Sequence, residues 1–568
     1  MATPASERTP LLKGAGQQAT PGGATGEGSN GAANAPANDQ SQAVITMPPY
    51  KTLIPVLTAL WVPVFISSLD GTIVATLVGS ISSSFNASEH ASWFGTTYLL
   101  ALVCVNPTMG RMADLFGTRI SSLLSIALFS VGTLTCATAP GLSIFLIGRV
   151  IQGAGSGGLT TISNIHMSKI IPLRNRGLYQ GLTNIVFGLG SGSGGPVGGL
   201  ANDSVGWRAA FLIQLPILAI AAVLSVWYVH EVPAFPNPNL SLPLGAKIRR
   251  IDFLGSLSLV SCATLLLVPL SLVSGSGRYF SEPLIYAQLL GGLLMGIVFL
   301  WIEARVAAYP VLPLGLLRDR TGASCAITNF TLSVTTFATL FTYPIYFQVV
   351  RLTSATNAGL HLLPYSVALA MSSMAAGYWM RHTGRFKKYN TVMSFMQLLS
   401  AALIAMLKPA SPDWLTYLVL FPMGWGGAGV LVCSLIAIIN KVPKEQMAVA
   451  TAMTYLFRTT GQALGVSLGG FVLQSTLKPE LDRRLGDEHL VEEIRHAITL
   501  VKKLPPDVRD QVVEAFSISV RNVFLVLCGV SAVTVLGSLL MEDRVLPDHQ
   551  KGSAESDEER PGDGERES

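Results

Sequence analysis

From residue 52 onward the chain runs apolar for about twenty positions at a time, with no polar stripe at helical spacing, as in "ISSLLSIALFSVGTLTCATA" and "VFLVLCGVSAVTVLGSLL". A helix in water keeps a polar face, so runs that are apolar all round predict helices solvated by lipid. The pattern predicts fourteen of them, at 52–80, 92–112, 118–138, 142–166, 176–200, 208–230, 252–274, 284–304, 323–349, 357–380, 389–407, 414–440, 447–475 and 518–540. Cations gather in the loops after even-numbered helices: Arg111 and Arg119; Lys169, Arg174 and Arg176; Lys247, Arg249 and Arg250; Arg318 and Arg320; and "RHTGRFKK". The opposite loops "SSSFNASEHAS" and "TAPGLS" have no Lys or Arg, so the positive-inside rule predicts that both termini lie in the cytosol. It also places Asn86, in the acceptor sequence "NAS", on the lumenal or outer side.

Composition agrees: 50% of the 568 residues are hydrophobic and only 12% charged, which marks an all-α polytopic membrane protein. The net charge of +5 sits in loops and reads as an orientation signal; no nucleic-acid partner is implied. Six cysteines stand singly in apolar runs, without a C-x-x-C pair or a neighbouring His at ligand spacing, so no metal site is expected. No cofactor or enzymatic activity is expected either, since the chain has no P-loop, G-x-S-x-G or H-E-x-x-H.

Three motifs sharpen the picture. "GRMADLFGTR" follows the second span, with Gly110 and Gly117 around Asp114, and Arg119 beyond. In the fourth span "GRVIQGAGSGG" sets Arg149 before Gln152, and in the fifth "GLGSGSGGPVGG" carries Gly195, Pro196, Gly198 and Gly199. Gly190, Gly192 and Gly195 also satisfy G-x-G-x-x-G, but without the surrounding βαβ unit of a dinucleotide site; small residues here point to a close helix seam. Together these stretches resemble the gating-loop, R-x-x-Q-G and antiporter motifs of the major facilitator superfamily. With "LDGTIVATLV", "WRAAFLIQLP" and "YPIYFQ", the chain is similar to the fourteen-helix drug:proton antiporter branch, and in particular to fungal vacuolar basic amino acid transporters.

The resemblance implies two six-helix bundles with two inserted helices. The expected organisation is a disordered cytosolic tail at 1–48, a bundle at 49–231, a linker with inserted helices 7 and 8 at 232–322, and a second bundle at 323–541 holding a lumenal loop at 476–517. A disordered acidic cytosolic tail follows at 542–568. "GYWMRHTGRFKK" after helix 10 echoes the turn after helix 2, without its acid.

Within these spans Asp70 costs about 2.5 to 3.5 kcal/mol on insertion scales unless it faces protein or water. It is either a structural partner of a buried Arg or the proton-coupling acid, holding a proton in one state and releasing it in another, and in that role a candidate to hold cationic substrate as well. Arg149 either satisfies helix carbonyls or sets that acid's state, and Arg458 in "YLFRTTGQALG" sits in the comparable region of the second half. Gln152, Asn184, Asn329, Gln348 and Gln462 are candidates to line a cavity, or simply to bond a neighbouring helix. His166 and His361, near span ends, are either packed or solvated side chains, or proton relays.

The expected partners are a small-molecule substrate, protons and membrane lipid. Two functions compete: proton-coupled loading of lysine, arginine and histidine into the vacuole, and plasma-membrane export of drugs, toxins or secondary metabolites. "ERTPLL", with Glu7, Leu11 and Leu12, resembles an acidic dileucine signal read by a sorting adaptor, which favours the vacuolar membrane.

Overall fold

The computed structural model describes residues 49–85, 93–231, 238–275, 282–307, 312, 314–353, 355–443, 446–496, 501 and 504–545. The proposed sorting residues Glu7, Leu11 and Leu12 and the acceptor Asn86 lie outside these, as do the tail segments 1–48 and 546–568.

Helices occupy all fourteen expected positions: α1 Tyr50–Ser84, α2 Trp93–Phe116, α3 Thr118–Thr138, α4 Leu142–Ile170, α5 Leu173–Ser204, α6 Gln214–Tyr228, α7 Phe253–Gly275, α8 Pro283–Arg305, α9 Arg320–Ile345, α10 Leu363–Thr383, α11 Lys387–Ala405, α12 Phe421–Ile439, α13 Met447–Leu485 and α14 Pro506–Leu540. Among the described residues ten spans are long and apolar enough to cross a membrane; α5, α10, α11 and α13 are the less apolar four. A one-turn-and-a-half helix, Trp207–Leu212, precedes α6, and the break falls where Pro216 lacks the amide that would bond the Leu212 carbonyl. The α9 run ends in a π-helical turn, Tyr346–Val350, just after Pro344.

The segment 476–517, expected as a loop between the last two spans, is largely helical among its described residues. Within 476–517, α13 continues to Leu485, a short helix spans Glu488–His496, and α14 begins at Pro506. Leu473, Leu477 and Leu481 recur every four residues and are buried with Val491, Ile494, Val512 and Phe516. The segment is amphipathic rather than apolar all round, so a reading tuned to lipid-facing runs stops too early. Glu480 supports its polar side by pairing with Arg483 and Arg484, and Gly486 ends α13 in the left-handed conformation.

The two groups α1–α6 and α9–α14 repeat one packing scheme. In the first, Gly153 of α4 seats on the Tyr98 carbonyl of α2, where a Cβ would find no room, with the Ala101 Cβ at 3.1 Å; in the second, Gly424 of α12 seats on the Tyr365 carbonyl of α10, with the Ala368 Cβ at 3.1 Å. Likewise Gly190 and Gly194 of α5 lie on the Phe65 and Leu69 carbonyls of α1, while Gly461 and Gly465 of α13 lie on the Phe330 and Val334 carbonyls of α9. Small residues set helix separation where no hydrophobic effect drives the helices together. The matching seats align the halves residue by residue: Asp70 with Thr335, Arg149 with Leu420, Gln152 with Met423, and Phe187 with Arg458. Helices α7 and α8 pack on each other, and α7 also rests on α2 and α13.

The α2–α3 turn is closed by Gly117 at φ 86° and the α10–α11 turn by Gly384 at φ 64°, so the echo in sequence is an echo in backbone. Three helix ends of the second half meet at the same basic face, where the Lys441 ammonium contacts Asp319 and, at 3.2 Å, Glu542. Burial alone would raise the Asp319 carboxyl, but Lys441 and the Thr321 and Gly322 amides hold it below the ordinary carboxylate range; the Lys441 hydrogen bond does the same for Glu542. Depressed folded values mean the tie is complete above about pH 4 and is lost as pH falls through those lower values. Backbone protection of 541–545 in hydrogen–deuterium exchange, corrected for intrinsic rate, is expected to fall on such acidification, and already at neutral pH in Lys441→Ala. Unchanged protection in the variant would remove the tie.

Candidate functional site

The buried charges form one network inside the first half. Arg149, 1% exposed, donates through Nη1 to Asp70 Oδ2 at 2.7 Å, and Asp70 is 0% exposed. The other carboxylate oxygen accepts from Gln152 Nε2 at 2.8 Å and Gln214 Nε2 at 3.4 Å. Arg149 also reaches Gln152 Oε1 at 2.6 Å and the Phe94 carbonyl at 3.1 Å, and its guanidinium lies 4.3 Å from the Tyr98 ring centre. Tyr98 in turn donates to Ser156 at 2.6 Å, and Gln152 to Thr133 at 2.9 Å. Five helices, α1, α2, α3, α4 and α6, thus contribute to one closed arrangement. Beside it stand Phe94, Phe145, Trp207 and Phe211, whose rings meet edge to face.

Such a pair survives burial because every charged face has a partner; removing one member typically costs about 3–5 kcal/mol. Asp70 sits on α1, which packs along the α5 seam, and Arg149 on α4. Among the antiporter-motif residues a notional Cβ on Gly198 would meet Ile73 Cα at an ordinary 3.4 Å and one on Gly195 would meet Thr76 Oγ1 at 3.5 Å, Gly199 has open space, and Pro196 is exposed. The tightest seats belong to Gly190 and Gly194, just before the motif.

A second polar site lies between the halves. A cavity of about 10 Å³, room for about one water in this closed arrangement, is lined by Gln180 and Asn184 of α5, Asn329 of α9, Thr454, Tyr455 and Arg458 of α13, and two leucines of α12. Sequence reasoning named Asn184, Asn329 and Arg458 but missed Gln180, one turn before Asn184 on the same face, and Gln214, a lone amide in "FLIQLP". Gln152 belongs to the ion-pair network rather than to this space. Gln462 is half-buried one turn past Arg458, and Gln348 is half-buried in the π turn at the other end of the α9 run.

The space is closed toward the end bearing the Gly117 and Gly384 turns. There α5 crosses α10: a Cβ on Gly377 would lie 2.5 Å from Leu178 N, and one on Gly177 2.7 Å from Gly377 Cα. Asn184 donates to Ser373 at 2.7 Å, and Asn106 of α2 bonds Thr459 of α13 at 3.2 Å. At the turn itself Glu231 accepts from the Thr118 amide at 2.6 Å, capping α3, while Thr118 Oγ1 meets His166 Nδ1 at 2.8 Å. Asp114 is buried with Arg111 at 3.8 Å on its own helix, and Gly110 is buried and Arg119 half-buried nearby. His361 is packed, stacked between Phe347 and Tyr417 at 3.8 Å from each.

Comparison with known proteins gives this geometry a context. A curated relative named multidrug resistance protein fnx1, from Schizosaccharomyces pombe, is 34% identical over 81% of this chain and 87% of its own. Vacuolar basic amino acid transporter 1 of Saccharomyces cerevisiae is 33% identical over 73% and 76%, and the vacuolar membrane amino acid uptake transporter fnx2 of S. pombe 30% over 86% and 84%. Among solved structures, the human organic anion transporter MFSD10 superposes with a TM-score of 0.55 at 14% identity, covering 86% of this chain and all of that one, which bears on fold alone. Residues 60–466 match the profile of the Major Facilitator Superfamily, and with the paired six-helix packing the chain belongs to that family of multi-pass membrane transporters.

Proposed function

We propose that this transporter is a proton-coupled antiporter that moves lysine, arginine and histidine from the cytosol into the vacuole. The observation that carries the reading is Asp70, a wholly buried carboxylate whose lock by Arg149, Gln152 and Gln214 must loosen before it can take a proton. Opening of the surrounding helices exposes the carboxylate and weakens its hold by Arg149, so protonation and conformation become linked. With the basic loops in the cytosol, the sealed end is the cytosolic one and the inter-half space faces the lumen in this conformation. All fourteen helices then cross the membrane, including the four less apolar ones, whose polar residues face protein rather than lipid. Two relatives whose names state vacuolar amino acid transport support the substrate class and compartment.

The relative named for multidrug resistance favours a second reading, plasma-membrane export of drugs, toxins or secondary metabolites. Vesicles holding the purified full chain separate the two. Under an imposed acid-inside gradient, labelled lysine, arginine and histidine are expected to accumulate and to leave again when the gradient is dissipated. Dye transport without amino acid accumulation would select the exporter. In cells, Leu11→Ala with Leu12→Ala is expected to shift the protein from the vacuole to the surface with vesicle transport unchanged; a protein already at the surface, unmoved by the change, overturns the sorting assignment.

A further inference from the structure

We infer that the space between the halves recognises the main-chain groups of an α-amino acid, carboxylate at Arg458 and ammonium at the side-chain oxygens of Asn329 and Gln180, rather than a cationic side chain. The inference rests on the amino acid transport reading and adds how the substrate is held.

The charge in the space comes first. Arg458 is the one charged residue among its lining, and none of the lining residues is acidic. Its guanidinium rests 5.5 Å from the Tyr455 ring centre, which holds the planar group without neutralising it. A partly desolvated cation with no acid beside it favours an anionic group and repels a cationic one. A lipophilic cation, or the ammonium of a lysine side chain, therefore gains nothing at this position.

The acceptors come second. Asn329 is 1% exposed; its Nδ2 donates to the Cys325 carbonyl at 2.7 Å and to Ser434 Oγ at 2.9 Å. A carbonyl only accepts, so this pair fixes the amide's orientation and turns Oδ1 away, where it has no partner. Gln180, 4% exposed, beside Tyr455, likewise has an unpartnered Oε1. A buried acceptor without a donor is costly, about 1–3 kcal/mol, and both residues line the same small cavity, which must widen as the helices part before either oxygen meets a ligand. One cation and two orphaned acceptors are the complement of a zwitterion. The leucines of α12 border the same space and suit an aliphatic stem.

The asymmetry of the halves agrees with this role. Arg458 matches Phe187 in the first half, so the cation is not part of the repeated packing scheme. Nothing in the fold's construction requires it there.

The test uses the full chain in vesicles and competition against labelled lysine. Cadaverine, which is lysine without its carboxylate, and Nα-acetyl-lysine, which lacks the α-ammonium, are each expected to compete more weakly than lysine by about tenfold or more, the loss expected for a charge-assisted hydrogen bond. Arg458→Gln is expected to bring lysine down to the level of cadaverine while leaving cadaverine where it was. Asn329→Leu is expected to weaken lysine and leave the Nα-acetyl form unaffected. Cadaverine competing as well as lysine in the unmodified protein overturns the inference, as does an Arg458→Gln variant that weakens both ligands equally, which is the mark of a structural role. If basic amino acids are not carried at all, the transport reading fails, and thermal stabilisation decides the inference separately. Stabilisation of the purified chain by other amino acids, absent with their decarboxylated amines and lost in Arg458→Gln, upholds it; stabilisation by no amino acid overturns it too.

Discussion

Asp70→Asn is expected to abolish gradient-driven accumulation, to below about a tenth of the unmodified rate, and to lower thermal stability as well. The first effect follows because an amide takes up and releases no proton in this pH range. The second follows from the geometry: the one oxygen of the introduced amide can still serve Gln152 and Gln214, but its amino group then faces Arg149 Nη1, donor against donor, beside a guanidinium with no counter-charge. Leaving one member of a buried pair alone costs about 3–5 kcal/mol, so loss of transport by the single variant would by itself be ambiguous. The double variant Asp70→Asn with Arg149→Gln resolves it. Removing both charges together is often close to neutral, so stability is expected to return while coupling does not. A folded double variant that still accumulates substrate against its gradient would remove Asp70 from the coupling role.

Gly377→Leu is expected to be nearly as damaging for a different reason. The α5–α10 crossing is backbone on backbone, with a notional Cβ at Gly377 2.6 Å from Gly177 C, and backbone cannot yield as a side-chain tip does. A leucine there forces the helices apart, so the sealed state is disfavoured and transport, which needs the seal to form and break, is expected to drop by about tenfold or more. A cysteine placed at Asn184, a 7%-exposed position in the seal, is expected to react with a membrane-impermeant maleimide added from the sealed side only in the Gly377→Leu background, with Asn184→Cys alone as the control for loss of the Ser373 bond. Cys104, Cys136, Cys325 and Cys433 are buried, and the part-exposed Cys262 and Cys528 are first replaced by alanine to keep background labelling low. Equal protection of the introduced thiol in both backgrounds, with normal transport, would show that the crossing is not a gate.

Helix positions were legible in sequence because lipid demands long apolar runs, and the Gly117 and Gly384 turns because a positive φ favours glycine. Asp70, Arg149 and Gln152 could each be picked out as polar groups in apolar surroundings, yet nothing in one dimension shows that α1 and α4 bring them within 2.7–2.8 Å. Gln214 escaped because its neighbours are apolar and its partner lies 144 residues earlier. Gln180 was recoverable, since it shares a helix face with Asn184. The extension of α13 was not, under a rule that equates helix with apolar run; its helix is held by Leu477 and Leu481 against α14 instead.

The residue-by-residue match between the halves has a consequence for how such a chain can change over time. Its acid–base pair and their amide partner have only Thr335, Leu420 and Met423 as counterparts in the second half, and its cavity cation has only Phe187 in the first. On the proposed reading the energy source belongs to the first copy alone, while cargo recognition takes its cation from the second copy and one of its two acceptors, Gln180, from the first. Substitutions at 329, 454, 455 and 458 can retune what is carried while the lock on α1 and α4 stays intact. On that reading a lineage built on this plan diversifies its cargo chiefly through α9 and α13, with α5 contributing Gln180 and Asn184, while the machinery of α1, α4 and α6 is shared.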